Sequence, residues 1–139
     1  MKVYVDTNVL VDFVCNRQGF VEEAKKLFAH GYMEEYELMT SALSVVNAVY
    51  IGHKYKHNDI EECLIKVASF VDVVDLRGQV VVDMLSSDWK DYEDATQNAS
   101  AIWAEADCIV TRNKKDFKDS SVPVYTVTEQ CASRQTLAD

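Results

Sequence analysis

The feature that most constrains this chain is an alternation. Short β-branched or apolar segments, each cut off by a polar residue, are separated by longer stretches with apolar residues at helical spacing. Residues 2–5 read as a strand that stops abruptly at Asp6-Thr7-Asn8, and residues 9–15 as a first helix carrying Asp12. Phe20, Ala24, Leu27, Phe28 and Gly31 predict a second helix, with Glu22 and Lys26 as an outward i,i+4 pair. Residues 37–40 suit a second strand. Ser41 then caps a helix with Leu43, Val46, Val49 and Tyr50 on its apolar side. Ile60, Cys63, Leu64 and Val67 mark another helix, opened by Asn58 or Asp59, and the β-branched residues 70–74 a third strand. A short helix over 79–85 precedes a clearer one over 91–106, where Tyr92, Ala95, Ala99, Ile102 and Ala106 share a stripe. Residues 108–111 and 124–127 complete the strands, and a closing helix starts near Thr128. Strands alternating with helices predict an α/β fold, a three-layer sandwich with a mostly parallel central sheet flanked by helices.

With 139 residues, the expectation is a single domain over 1–139 that buries about two thirds of its surface. Apolar residues at 48% and charged residues at 27% exclude a disordered chain, and a single proline with 4 glycines excludes a collagen-like one. No apolar run approaches the roughly 20 residues that cross a bilayer. Residues 1–5 run straight into Asp6 and leave no room for a signal-peptide core, so the expected location is cytoplasmic, with no membrane partner. The 4 cysteines (Cys15, Cys63, Cys108, Cys131) form no Cys-x-x-Cys pair and read as small core residues in a reducing compartment.

Net charge is −9, from 14 Lys and Arg against 23 Asp and Glu. A protein that holds a polyanion by counterion release is usually basic. Either nucleic acid is not the partner, or the carboxylates have a special task such as holding metal. In open parallel sheets, ligands gather at the carboxyl ends of strands. Asp6 ends the first strand, Asp91 and Asp94 share a face in one first helical turn, and Asn113 and Asp116 lie just beyond the 108–111 strand. Carboxylates meeting in one cleft repel unless a cation neutralises them, and oxygen ligands of this kind suit Mg²⁺ or Mn²⁺. Each also has an ordinary structural use: Asp6 as a helix cap, Asp91 and Asp94 as partners of the macrodipole, Asp116-Phe117 as a turn.

The order and wording of these segments resemble the PIN domain family, the fold of many metal-dependent ribonucleases and of the toxin half of bacterial toxin–antitoxin pairs. Val5-Asp6-Thr7-Asn8-Val9-Leu10-Val11-Asp12 is similar to the first acidic motif of that family, Asp91-Tyr92-Glu93-Asp94-Ala95 to its third, and Ile109-Val110-Thr111-Arg112-Asn113-Lys114-Lys115-Asp116-Phe117 to its last. The family's second acidic residue, usually a Glu, belongs near residues 41–50, where this chain has Asn47, and Asn113 stands where some members have Asp. An Asn offers a carbonyl oxygen without charge, so a second metal would bind more weakly than in the four-carboxylate form.

The resemblance implies a metal-dependent endoribonuclease that hydrolyses RNA phosphodiester bonds, as a toxin or otherwise. Asp6 and Asp94 would hold the principal Mg²⁺ or Mn²⁺, Asp116 would join directly or through water, and Asp91, Asn47 and Asn113 would stand around it. Thr7 and Asn8 would orient Asp6. Arg112, Lys114 and Lys115 are the expected RNA contacts, with Lys118 beside them and Lys54, Lys56 and Arg17 as further bordering charges; a solvated basic loop is the plainer alternative. A cognate antitoxin and a homodimer built on the helices around 43–50 and 60–67 are the implied protein partners. The rival reading is a non-catalytic PIN-like module binding RNA or protein, which Asn47 favours.

Other readings fit less well. His53 and His57, at i and i+4, have no third ligand in sight. Trp89 and Trp103 suit packing better than base stacking. A phosphatase of the haloacid dehalogenase type needs a carboxylate at position 8, a receiver domain needs an early acidic pair, and no glycine loop cradles a phosphate.

Overall fold

The computed structural model of the protein describes residues 1–131. Its sheet has five strands, all parallel, in the order β3-β2-β1-β4-β5. They are β1 (Lys2–Val5), β2 (Glu37–Ser41), β3 (Val71–Val74), β4 (Cys108–Val110) and β5 (Val124–Tyr125). The connecting helices are α1 (Thr7–Val14), α2 (Val21–Tyr32), α3 (Ala42–Lys54), α4 (Ile60–Val67), α5 (Gly78–Met84) and α6 (Tyr92–Trp103), with a 3-10 turn at Lys114–Phe117.

The period-two alternation of each strand divides the core into two layers. Val3, Val5, Leu38, Val71, Cys108 and Val110 pack with Leu10, Leu27, Phe28, Ala48, Ile60 and Leu64 from α1–α4. The intervening Tyr4, Met39 and Ile109 face the other way, onto Ala101 of α6 and Phe117. The central strand β1 pairs with β2 on one side and β4 on the other, with Val3 opposite both Leu38 and Cys108. Chain order runs outward in both directions from β1, so the crevice at the carboxyl ends of β1 and β4 is a topological switch point.

Several boundaries shift for local reasons. Helix α1 starts at Thr7 because Asp6 itself serves as the N-cap. The last strand stops at Tyr125 and the closing helix begins at 127, since Thr126 and Glu129 form a reciprocal capping box with N–H donations of 3.1 and 3.2 Å. Residues 132–139, onto which the expected closing helix would run, lie outside the described residues. Helix α6 ends at Trp103, not 106: Glu105 takes a left-handed φ of 59°, and the N–H groups of Glu105 and Ala106 return to the carbonyls of Ile102 and Ala101 in a Schellman closure. The anticipated Glu22–Lys26 pair is replaced by two i,i+3 pairs, Lys25–Glu22 at 3.5 Å and Lys26–Glu23 at 3.1 Å. Cys15, Cys108 and Cys131 are buried free thiols, as their core reading requires, whereas the free thiol of Cys63 is only partly buried. Among the described residues no helix is long and apolar enough to cross a membrane.

Candidate active site

Asp6 leaves the end of β1 and is buried, 5% exposed, at the N-terminus of α1. Its Oδ1 accepts the Thr7 N–H at 2.9 Å and its Oδ2 accepts the Thr111 hydroxyl at 3.0 Å, while its own N–H donates to the carbonyl of Val110 at 3.0 Å. The cap reading and the cleft reading are therefore both realised in one side chain.

Asp91 is the N-cap of α6 and accepts the Asp94 N–H at 2.9 Å, which brings Asp94 to the mouth of the crevice. Asp116 arrives from the 3-10 turn after β4. One cavity is lined by Asp6, Thr7, Asn8, Asn47, Asp91, Glu93, Asp94 and Asp116, with Tyr50 and Ile51 on its apolar side. Side chains from three distant stretches of sequence meet there, together with Asn47 from α3.

Such crowding has an electrostatic signature. Burial first, then the charges of Glu93 and Asp116, push the Asp6 carboxyl up to about 6, although Thr111 and Thr7 pull against them. Asp94 is pushed up to about 7 by burial and by the neighbouring charges of Asp91, Asp6, Asp116 and Glu93. Carboxyls held this far above the ordinary range mark a site short of positive charge.

The expected cations divide. Lys115 lines a groove that shares Asp91, Asp94 and Asp116 with the cavity and is completed by Trp89, Lys90, Asn113, Lys118 and Asp119. Lys114 is turned away to Glu129 at 3.2 Å. Arg112 sits with Nε 3.0 Å from Oδ2 of the buried Asp12 and lies 4.0 Å over the Phe20 ring, in a separate hollow. Arg17 also reaches Asp12, at 3.5 Å, and borders a hollow that meets the cavity only at Ile51. Lys54 lies 5.8 Å from the Tyr55 ring centroid. His53 pairs with Glu61 instead of a metal partner. Trp89 packs edge-on to Phe117, and Trp103 carries Arg77 on its face.

The Thr7 hydroxyl engages partners other than the carboxylates. It lies 2.7 Å from the Ser44 hydroxyl, and Gln97 Nε2 donates to both, at 3.0 and 3.1 Å, while the Tyr4 hydroxyl donates to Gln97 Oε1. This buried network bolts β1, α1, α3 and α6 together directly beneath the cavity. Gln97, Thr111 and Glu93 are the site features that motif reasoning left unassigned. The face of α6 that buries Gln97 also buries Thr96, Asn98 and Ser100, so no apolar pattern singled out the first; a threonine directly after a buried strand was the available signal for the second.

Among the described residues, no three His, Cys, Asp or Glu side chains form a ready-made metal-holding group. The donor chemistry nonetheless fits Mg²⁺ or Mn²⁺. Mg²⁺ keeps several waters and needs only one or two carboxylates, and the unneutralised Asp6 and Asp94 supply an all-oxygen set.

The family model described as PIN domain matches residues 2–115. Among solved structures, VapBC2 of Rickettsia felis, bound to a DNA fragment from its promoter, superposes with a TM-score of 0.65 at 16% identity, covering 91% of this chain and 98% of that one. A toxin–antitoxin complex from Klebsiella pneumoniae gives 0.63 at 23% identity over 90% and 97%. VapC20 of Mycobacterium tuberculosis, a sarcin–ricin-loop-cleaving toxin, gives 0.61 at 16% identity over 77% and 86%. No curated protein sequence matches.

Proposed function

Because the chain belongs to the PIN domain family, we propose that its acidic cavity is the active site of a metal-dependent endoribonuclease acting as the toxin of a toxin–antitoxin pair. The observation that carries this reading is the convergence of Asp6, Asp94 and Asp116 in one cavity at the switch point of a parallel sheet, with the Asp6 and Asp94 carboxyls raised first by burial and then by neighbouring carboxylates.

In this reading Asp6 and Asp94 hold Mg²⁺ or Mn²⁺, Asp116 completes the set, and Asp91 and Asn47 stand around it, while Asn113 lies in the adjoining groove. A divalent ion there supplies charge neutralisation at the scissile phosphate and lowers the pKa of water. Thr111 and the Thr7 N–H fix the orientation of Asp6, and Asn8 lines the entrance. Lys115, with Lys90 and Lys118, offers the RNA backbone a basic edge beside an otherwise anionic site. Arg112 and Lys114, engaged with Asp12 and Glu129, serve the scaffold more than the substrate.

The toxin–antitoxin complexes among the structural neighbours support an antitoxin as partner, in the cytoplasm where such a pair would act. The exposed Val46 and Tyr50 of α3 and Ile65 of α4 offer an apolar surface for a homodimer. Asn47 favours a second reading, a non-catalytic RNA- or protein-binding module, because α3 brings no carboxylate to the cavity. Calorimetry with Mn²⁺ followed by RNA cleavage separates the two. The nuclease binds Mn²⁺ and cuts RNA, and Asp6→Asn and Asp94→Asn abolish cutting while the fold persists. Binding of RNA without metal or cleavage would establish the module instead.

A further inference from the structure

The wall of the cavity that α3 supplies carries Asn47, Tyr50 and Ile51, and no charge. A carboxylate is brought to that wall from elsewhere. Asn47 Nδ2 donates to Glu93 Oε1 across 3.3 Å, joining the middle of α3 to the first turn of α6 over 46 positions of sequence. Glu93 lines the same cavity as Asp6, Asp94 and Asp116, and its charge is felt at both Asp6 and Asp94.

A glutamate in a first helical turn has an ordinary use, since it favours the macrodipole. That accounts for its place along α6 but not for its direction. Successive helical side chains diverge by about 100°, so Glu93 does not follow Asp94 into the cavity by default. In the structure the Asn47 amide meets one oxygen of this exposed carboxylate.

We infer that Glu93 supplies the carboxylate that α3 lacks, joining Asp6, Asp94 and Asp116 around a divalent cation, with Asn47 as its positioning residue. This rests on the reading of the cavity as a metal site. The pairing converts the apparent deficit at position 47 into a relocation: the charge is carried by α6 and only its anchor by α3.

The test is Mn²⁺ calorimetry on the full chain, with melting temperatures taken on every variant. Glu93→Gln weakens Mn²⁺ binding roughly tenfold, and Asn47→Ala, which leaves the carboxylate but frees it, weakens binding by roughly threefold. Asn47→Glu combined with Glu93→Gln returns the affinity to within about threefold of the wild type, because the charge has moved back to α3. Glu61→Gln, outside the cavity, changes nothing. Wild-type affinity in Glu93→Gln alongside loss of binding in Asp6→Asn would leave the metal site standing and overturn the role of Glu93. Weak binding in Glu93→Gln that Asn47→Glu does not restore would overturn the relocation. Absence of Mn²⁺ binding by the wild type would remove the metal site itself, and the inference with it.

Discussion

The hydroxyl of Thr111, at the end of β4, donates to Oδ2 of Asp6, at the end of β1, while the Asn113 N–H donates to the same hydroxyl at 3.2 Å. One threonine thus fixes the carboxylate of the neighbouring strand and the start of the following loop. Thr111 is buried, and its hydrogen bond opposes the burial that raises Asp6. Thr111→Val keeps the shape and removes the donor, which costs about 1–2 kcal/mol and raises Asp6 further. Mn²⁺ affinity should fall several-fold at pH 7 and recover most of that loss at pH 8.5, when Asp6 is ionised in both proteins. An equal loss at both values, by calorimetry, would mean a displaced loop and not a changed ionisation.

The pH dependence of stability has a definite sign. Asp6 and Asp94 titrate near 6 and 7 in the folded chain against an ordinary 3.8, so the folded state binds more protons than the unfolded one between those limits. Their contribution favours folding below about pH 4 and is lost as pH rises through 6 and 7. In EDTA the melting temperature should therefore fall from pH 5 to pH 8, and Mn²⁺ should restore it at pH 8. Asp94→Asn should be more stable than the wild type at pH 8 without metal, because it removes a charge its neighbours repel. A metal-free melting temperature that rises over this window in the wild type, and equally in Asp94→Asn, would contradict the crowding described.

Arg112 and Lys115 are three residues apart but are expected to fail in different assays. Arg112 neutralises Asp12, whose carboxyl is 2% exposed and is pushed up by burial against the pull of Arg112 and Arg17. Arg112→Ala leaves that carboxylate with Arg17 alone and should cost roughly 2–3 kcal/mol in urea unfolding. Lys115→Ala should leave stability unchanged, weaken RNA binding and lower the slope of log K against log salt by about 1. Reversal of the two outcomes would return Arg112 to the substrate surface.

Much of the architecture was legible because hydrophobic periodicity is a local property. Val3 and Val5 against Tyr4, or Cys108 and Val110 against Ile109, already announce strands buried on both faces. The acidic positions were legible because they sit at strand ends and first helical turns, where backbone geometry fixes their direction. What sequence reasoning did not reach depends on long side chains choosing partners across space. Arg112 turns back to Asp12, Lys114 to Glu129, and Glu93 reaches across to Asn47. Nothing in the residues adjoining them encodes those directions. Residue pairs separated by tens of positions become neighbours only once the sheet order has set α1, α3 and α6 around one crevice.

Gln97 is the clearest case, and it yields the sharpest prediction. It is 1% exposed and spans the hydroxyls of Thr7 and Ser44 with one end and that of Tyr4 with the other. Gln97→Leu fills nearly the same space but leaves the Tyr4 hydroxyl and the Thr7–Ser44 pair short of a partner, at a cost of roughly 2 kcal/mol. Gln97→Glu retains the size and one acceptor, yet places a carboxyl where no cation reaches. Burial raises that carboxyl, so the deficit of Gln97→Glu relative to the wild type should grow as pH rises from 6 to 8, whereas that of Gln97→Leu should stay constant. Because Thr7 follows Asp6 directly, both variants should also weaken Mn²⁺ binding by a few-fold at pH 7. Denaturant unfolding at the two pH values checks the first part, and calorimetry the second. Unaltered metal affinity in a variant that is clearly destabilised would show that the network braces the helices without setting the position of Asp6.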